Sequence, residues 1–190
     1  NPGYTSEIRF KYESADRDID DYLQPDHGGP VDHPLMRKFN MADRDADRVL
    51  LQADFMLTEK LGLNLGYIRA EADYTDSAVG LQDSDTESYS ADLNYAINDK
   101  INLYAFYNRD NIDANILNTT WDALTEDRIE TFGLGLSAVI SEKSSIGFDY
   151  VSSDSKGDIS VQTGSDEEPF DPLRTDLTNL RFHFDYSFNE

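Results

Sequence analysis

The chain has 190 residues, no cysteine and a formal net charge of -22. That charge excludes a nucleic-acid partner, whose phosphates it would repel. The missing cysteines exclude disulfides, thiolate metal sites and covalent haem attachment to this chain.

The first segment, "GYT" at Gly3 to Thr5, reads as the tail of a turn, and Ile8, Phe10 and Tyr12 alternate after it as a strand. A long polar stretch follows over 13–48. Val49, Leu51, Ala53, Phe55 and Leu57 then alternate up to the triplet TEK at 58–60. The alternation resumes in register with Leu61, Leu63, Leu65 and Tyr67, and a second polar stretch covers 71–87. The unit then repeats. Tyr89 to Ile97 leads to NDK at 98–100, then Ile101 to Tyr107, then polar residues over 109–128. Phe132 to Ile140 leads to SEK at 141–143, then Ile146, Phe148 and Tyr150, then polar residues over 152–176. Leu180, Phe182, Phe184, Tyr186 and Phe188 close the chain. Asn189 and Glu190 read as the start of a fourth triplet, which predicts a further strand beyond it.

A period of two with one apolar face is the pattern of a β-strand. The chain therefore reads as all-β: eight strands in four hairpins, with tight turns at one end and long acidic loops at the other. That asymmetry is the mark of an antiparallel up-and-down transmembrane β-barrel. A soluble sandwich has shorter strands and does not sort its turns by length. A lipocalin-like barrel would turn the apolar face inward.

In this reading a tyrosine stands seven residues after each triplet lysine. Tyr12, Tyr67, Tyr107 and Tyr150 form a girdle at the loop-side membrane interface, with the ring in lipid and the hydroxyl among headgroups. Phe55, Tyr95 and Tyr186 belong to a turn-side girdle.

The opposite parity faces the lumen and carries the candidate contacts for a partner. These are Asp54, Gly62, Asn64, Gly66, Asp92, Asn94, Gly133, Gly135, Asp149, Arg181, His183 and Asp185. The glycines, with Gly147, leave a flat wall on which another protein's backbone can lie. Two acidic motifs, "DSDTES" with Asp83, Asp85 and Glu87 and "ADRDADR" with Asp43, Asp45 and Asp47, cluster hard oxygen ligands that suit calcium. Neither has the spacing of an EF-hand. No catalytic constellation is present, and the chain reads as a non-enzyme.

The loops carry a more specific signal. "LMRKFNMADRDADRV", "DYTDSAVGLQDSDTESYSADLNYAI", "AFYNRDNI" and "TTWDALTEDRIETFGLGLS" together resemble the MtrB/PioB family of decahaem-associated outer-membrane β-barrels. The resemblance covers nearly the whole chain and implies a place in the bacterial outer membrane. It also implies a barrel that houses a periplasmic multihaem c-type cytochrome in its lumen, insulates it from lipid, and presents it to an extracellular multihaem cytochrome at the loops. Haem then belongs to the partners and none to this chain. The family barrel has more than eight strands, so the resemblance implies that residues 1–190 are a single segment from its C-terminal portion. A closed eight-stranded barrel has room only for its own side chains. Two other readings stand beside this one: a diffusion porin with an acidic mouth, and a small eight-stranded structural barrel.

Overall fold

The computed structural model describes residues 6–19, 39–40, 42–75, 77–164 and 166–188. The two chain ends read as turn fragments, 3–5 and 189–190, lie outside the described residues.

The described residues form one antiparallel sheet without a helix: β1 (Ser6–Arg17), β2 (Arg44–Thr58), β3 (Leu61–Asp73), β4 (Gly80–Asn98), β5 (Ile101–Leu117), β6 (Asp122–Ser141), β7 (Ser144–Thr163), β8 (Asp166–Pro169) and β9 (Leu173–Tyr186). From β1 to β7 each strand pairs with its sequence neighbours. β8 and β9 share the far edge of β7, β8 against Ser160–Thr163 and β9 against Ser144–Gly157. They occupy one ladder position interrupted between Pro169 and Pro172, because proline cannot donate to a ladder. The expected eight strands are therefore eight ladder positions, the last one broken. β1 and β9 are open edges.

The triplets explain the turns. Each hairpin turns over two residues, Glu59–Lys60, Asp99–Lys100 and Glu142–Lys143. The side chain of the residue before each turn accepts the lysine N–H: Thr58 Oγ1 at 3.2 Å, Asn98 Oδ1 at 2.9 Å and Ser141 Oγ at 3.3 Å. Thr, Asn and Ser share this ability to satisfy a turn amide from the side chain. A register shift precedes each turn, at Met56/Thr58, Ala96/Asn98 and Val139/Ser141. The lysine carbonyls then bind the next hairpin: Lys60 O accepts from Ala96 N, Lys100 O from Val139 N and Lys143 O from Ser187 N, at 2.8–2.9 Å. One short motif thus closes a hairpin and joins it to its neighbour.

At the other end the structure corrects the sequence reading. The stretches taken as loops over 71–87, 109–128 and 152–176 are largely strand. The connections shrink to 74–79, 118–121 and the segments either side of β8. Between β1 and β2, most of 18–43 lies outside the described residues. β6 and β7 each have 20 residues.

There is no two-layer core. No large side chain among the described residues is fully buried; apart from Gly133, Gly135, Gly147 and Gly157, the buried residues are Ala42, Tyr74, Ser77, Val79 and Ala123, close to the loop-end connections. One face of the sheet exposes a continuous apolar surface that includes Phe10, Leu51, Leu93, Leu134, Phe182 and Phe184, each at least 40% exposed. In water such a surface is a liability.

Candidate functional site

The tyrosines define a level in the sheet. Tyr12 pairs with Val49, which pairs with Arg69, and Tyr67 lies two residues nearer the turn. Tyr67 pairs with Tyr89, which pairs with Arg109, and Tyr107 again lies two residues nearer the turn. Tyr107 pairs with Phe132, which pairs with Ser152, and Tyr150 repeats the offset. Two residues of about 3.3 Å against two strand spacings of about 4.8 Å is a tilt of about 35°. That tilt is at the lower end of the roughly 35–45° of outer-membrane barrels. Tilted by that angle, the four tyrosines stand at one height. Spin labels at positions 12, 67, 107 and 150 of the folded barrel are expected to share one accessibility to a lipid-soluble quencher; a spread of depths would break this register.

The tyrosine hydroxyls reveal a role for acidic residues that sequence reasoning missed. Tyr12 donates to Asp47 Oδ1 at 2.5 Å, Tyr67 to Glu87 Oε1 at 2.9 Å and Tyr107 to Glu130 Oε1 at 3.2 Å. Each acceptor stands two residues toward the loop end from the tyrosine's ladder partner. Tyr150 breaks the series, since Thr178 occupies the equivalent place. Tyr89, with its ring 5.2 Å from that of Tyr67, and Phe132 extend the girdle between the expected members.

These bonds bear on the calcium candidates. Asp47 and Glu87 hold tyrosine hydroxyls, Asp43 Oδ1 accepts the Ile19 amide at 2.7 Å, and Asp45 faces Asp16 across the ladder. Asp83, Asp85 and Glu87 stand along one face of β4 at alternate positions, about 6.6 Å apart, instead of converging on a point. Among the described residues no group of three metal-ligating side chains gathers.

Beyond the tyrosine level the carboxylates titrate by their neighbours. Hydrogen bonds from Tyr89 and Tyr67 hold Glu87 below the usual range, and Arg128 does the same for Glu130. The carboxyls of Asp16 and Asp154 are pushed up, each by sharing a hydrogen bond with an opposed carboxyl, Asp45 and Asp176.

The register places all the candidate partner contacts, from Asp54 to Asp185, on the polar face. Two clusters form there. At the turn end Asn64 Nδ2 donates to Asp54, and Arg9 lies 3.4 Å from the same carboxylate. Near the loop-side tyrosines Asp149 accepts from Tyr104 at 2.6 Å and from Arg181 at 2.9 Å. His183 Nδ1 lies 3.8 Å from the same carboxylate.

The bare glycine wall is corrected. The ring of Tyr104 covers Gly135, Phe106 covers Gly133, His183 covers Gly147 and the hydroxyl of Ser90 covers Gly66, where a Cβ would collide with each. Gly62 alone of the five is uncovered by a close side chain, with Met56 Sδ at 3.7 Å from where its Cβ would be. Side chains of the adjacent strands thus fill the space over these four glycines on the polar face.

Above the tyrosines the apolar face turns charged and the polar face gains apolar residues. The face continuous with the apolar surface carries Asp85, Glu87, Asp113, Glu126, Glu130, Asp154 and Asp158, with Arg109, Arg128 and Lys156. The face continuous with the polar wall gains apolar residues, Leu81, Ile112, Ile116, Ile129, Ile159 and Val161, all half-buried, among small polar ones such as Ser84, Thr86, Thr125 and Ser155. Asp110 and Asp127 are the acids of β5–β7 on that side.

The MtrB/PioB outer membrane beta-barrel porin family matches residues 3–190. The outer membrane protein MtrB of Shewanella baltica (strain OS185) is 31% identical over 168 residues, covering 84% of this chain and 24% of that protein. The chain thus spans about a quarter of the length of that relative. Among solved structures, the ferric citrate transporter FecA superposes with a TM-score of 0.45 at 13% identity, over 77% of this chain and 28% of FecA. The ferric yersiniabactin uptake receptor FyuA from Yersinia pestis gives 0.40 at 12% identity, over 75% of this chain and 25% of FyuA.

Proposed function

The chain belongs to the MtrB/PioB family of bacterial outer-membrane β-barrels, and from that premise we propose that it is part of the wall of a barrel that sheathes a multihaem c-type cytochrome. The apolar face meets lipid and the polar face meets the cytochrome. Further strands pair with β1 and β9 to close the barrel, since an open edge in lipid leaves backbone groups unsatisfied at several kcal/mol each. The wall acts by insulation: it holds a chain of haems in a path across the membrane and keeps it from lipid. At the loop end an extracellular multihaem cytochrome takes over the electrons.

The observation that supports this reading is the set of apolar residues on the inner side above the tyrosines. Strands of 20 residues at that tilt rise roughly 50 Å, about twice the height of the apolar band. The projecting collar is wet and acidic outside, yet half-buried and apolar inside at Ile112, Ile116, Ile129 and Ile159. A porin mouth filled with water has no use for an apolar inner collar. A protein that emerges through the collar covers it.

The test is haem retention by the full-length barrel purified from outer membranes. Ile129→Lys with Ile159→Lys is expected to lower the haem-to-barrel ratio at least tenfold, because charges buried against a partner cost about 2 kcal/mol or more. Asp113→Lys, on the outer side of the same collar, is expected to leave it unchanged. Barrel that carries no haem, or that conducts ions in planar bilayers as an open pore, would overturn the sheath.

A further inference from the structure

The outer side of the collar is acidic, as the net charge of -22 leads one to expect, yet three of its cations stand in a row. Arg128 pairs directly with Lys156, and Lys156 with Arg174. Like charges directly opposed across strands destabilise a sheet. Acid rows flank this one on both sides: Glu130, Asp154 and Asp176 below, Glu126 and Asp158 above. Ion pairs along the strands, Arg128–Glu130 at 2.7 Å and Lys156–Asp158 at 2.5 Å, relieve part of the repulsion. Exposed pairs of this kind are worth under about 1 kcal/mol. The side chains remain 50% and 40% exposed, and Arg174 is exposed.

We propose that the Arg128–Lys156–Arg174 row binds the phosphorylated sugar headgroup of an outer-leaflet glycolipid. Charge selects the phosphate, and height selects the glycolipid. With the register offset of one residue per strand, the three cations lie five, six and seven residues beyond the tyrosine level. That is roughly 13–19 Å above it. The headgroup layer of an ordinary phospholipid is about 5–8 Å thick on each side, so its phosphate falls short. A headgroup of several sugars carries phosphate to that height. The acid rows above and below repel the same phosphate and confine it to the one cationic row.

The test uses the full-length barrel in detergent, with rough lipopolysaccharide that keeps its phosphorylated inner core, the same glycolipid after phosphatase treatment, and phosphatidylglycerol as probes. A basic residue near a charged membrane surface contributes about 1 kcal/mol, so Arg128→Gln, Lys156→Gln and Arg174→Gln together are expected to weaken glycolipid binding about a hundredfold. Phosphatase treatment is expected to produce a similar loss with the unaltered barrel. Phosphatidylglycerol is expected to bind both proteins alike. Should the triple variant lose its heat-modifiable mobility, Lys156→Gln alone decides, with about a fivefold loss expected. Unchanged glycolipid affinity in a folded variant, or equal binding of the dephosphorylated glycolipid, would overturn the site. Haem retention is untouched by either outcome, so the test stands apart from the sheath.

Discussion

Replacing Leu136 by Arg is expected to destabilise the full-length barrel by about 2–4 kcal/mol, the cost of Arg toward mid-depth on a lipid-facing strand. Leu136 lies on the apolar face of β6, half-buried, between Leu103 and Phe148 on the adjacent strands. No acid stands beside it to pair with the guanidinium, and its distance from the girdle limits snorkelling. Ser137→Arg places the same charge on the polar face of the same strand, opposite Asn102 and Gly147, where the side chain is exposed. There a cost under about 1 kcal/mol is expected, as for an ordinary surface substitution. Urea unfolding in lipid vesicles separates the two. Equal losses would mean that the faces are not divided between lipid and lumen.

That division was legible in the sequence because a membrane strand states its environment by parity. The alternation from Val49 to Leu57, and its return after the triplet, determined the hairpin and which residues share a face. The triplets themselves were legible as turns, though the role of Thr58, Asn98 and Ser141 as acceptors appears only in the structure. The collar was misread because its strands are built from residues that strands usually avoid. Asp83, Asp85, Asn111 and Asp113 have low β-propensity, and their acidity suggested solvated loops. On β5 to β7 their opposite parity carries apolar residues, from Ile112 to Val161, while on β4 it carries Ser84, Thr86 and Ser88, and that strand is held by the ladders of β3 and β5 on either side. The return of Ile112, Ile116, Ile129, Ile159 and Val161 on the opposite parity beyond the tyrosines was present in the sequence and is the signal that would have found the collar on β5 to β7. The acceptors Asp47, Glu87 and Glu130 needed the cross-strand register, which one sequence does not contain.

The covered glycines lead to the second large effect. Gly135→Val is expected to cost about 1–3 kcal/mol, the range for overfilling a packed site. Its Cβ would meet the ring and hydroxyl of Tyr104. The ring is rigid, so it must swing off the wall, and it then gives up its 2.6 Å bond to Asp149. Asp149 is left with Arg181 at 2.9 Å, itself an exposed side chain. Valine is otherwise a better strand residue than glycine, so the cost has to come from the displaced tyrosine. Tyr104→Ala should remove it: in that background Gly135→Val is expected to be neutral or stabilising. The coupling between the two substitutions should exceed about 1 kcal/mol, as for side chains in direct contact. Urea unfolding of the two single variants and the double variant measures it. Strictly additive costs would show that the ring does not lie on the glycine.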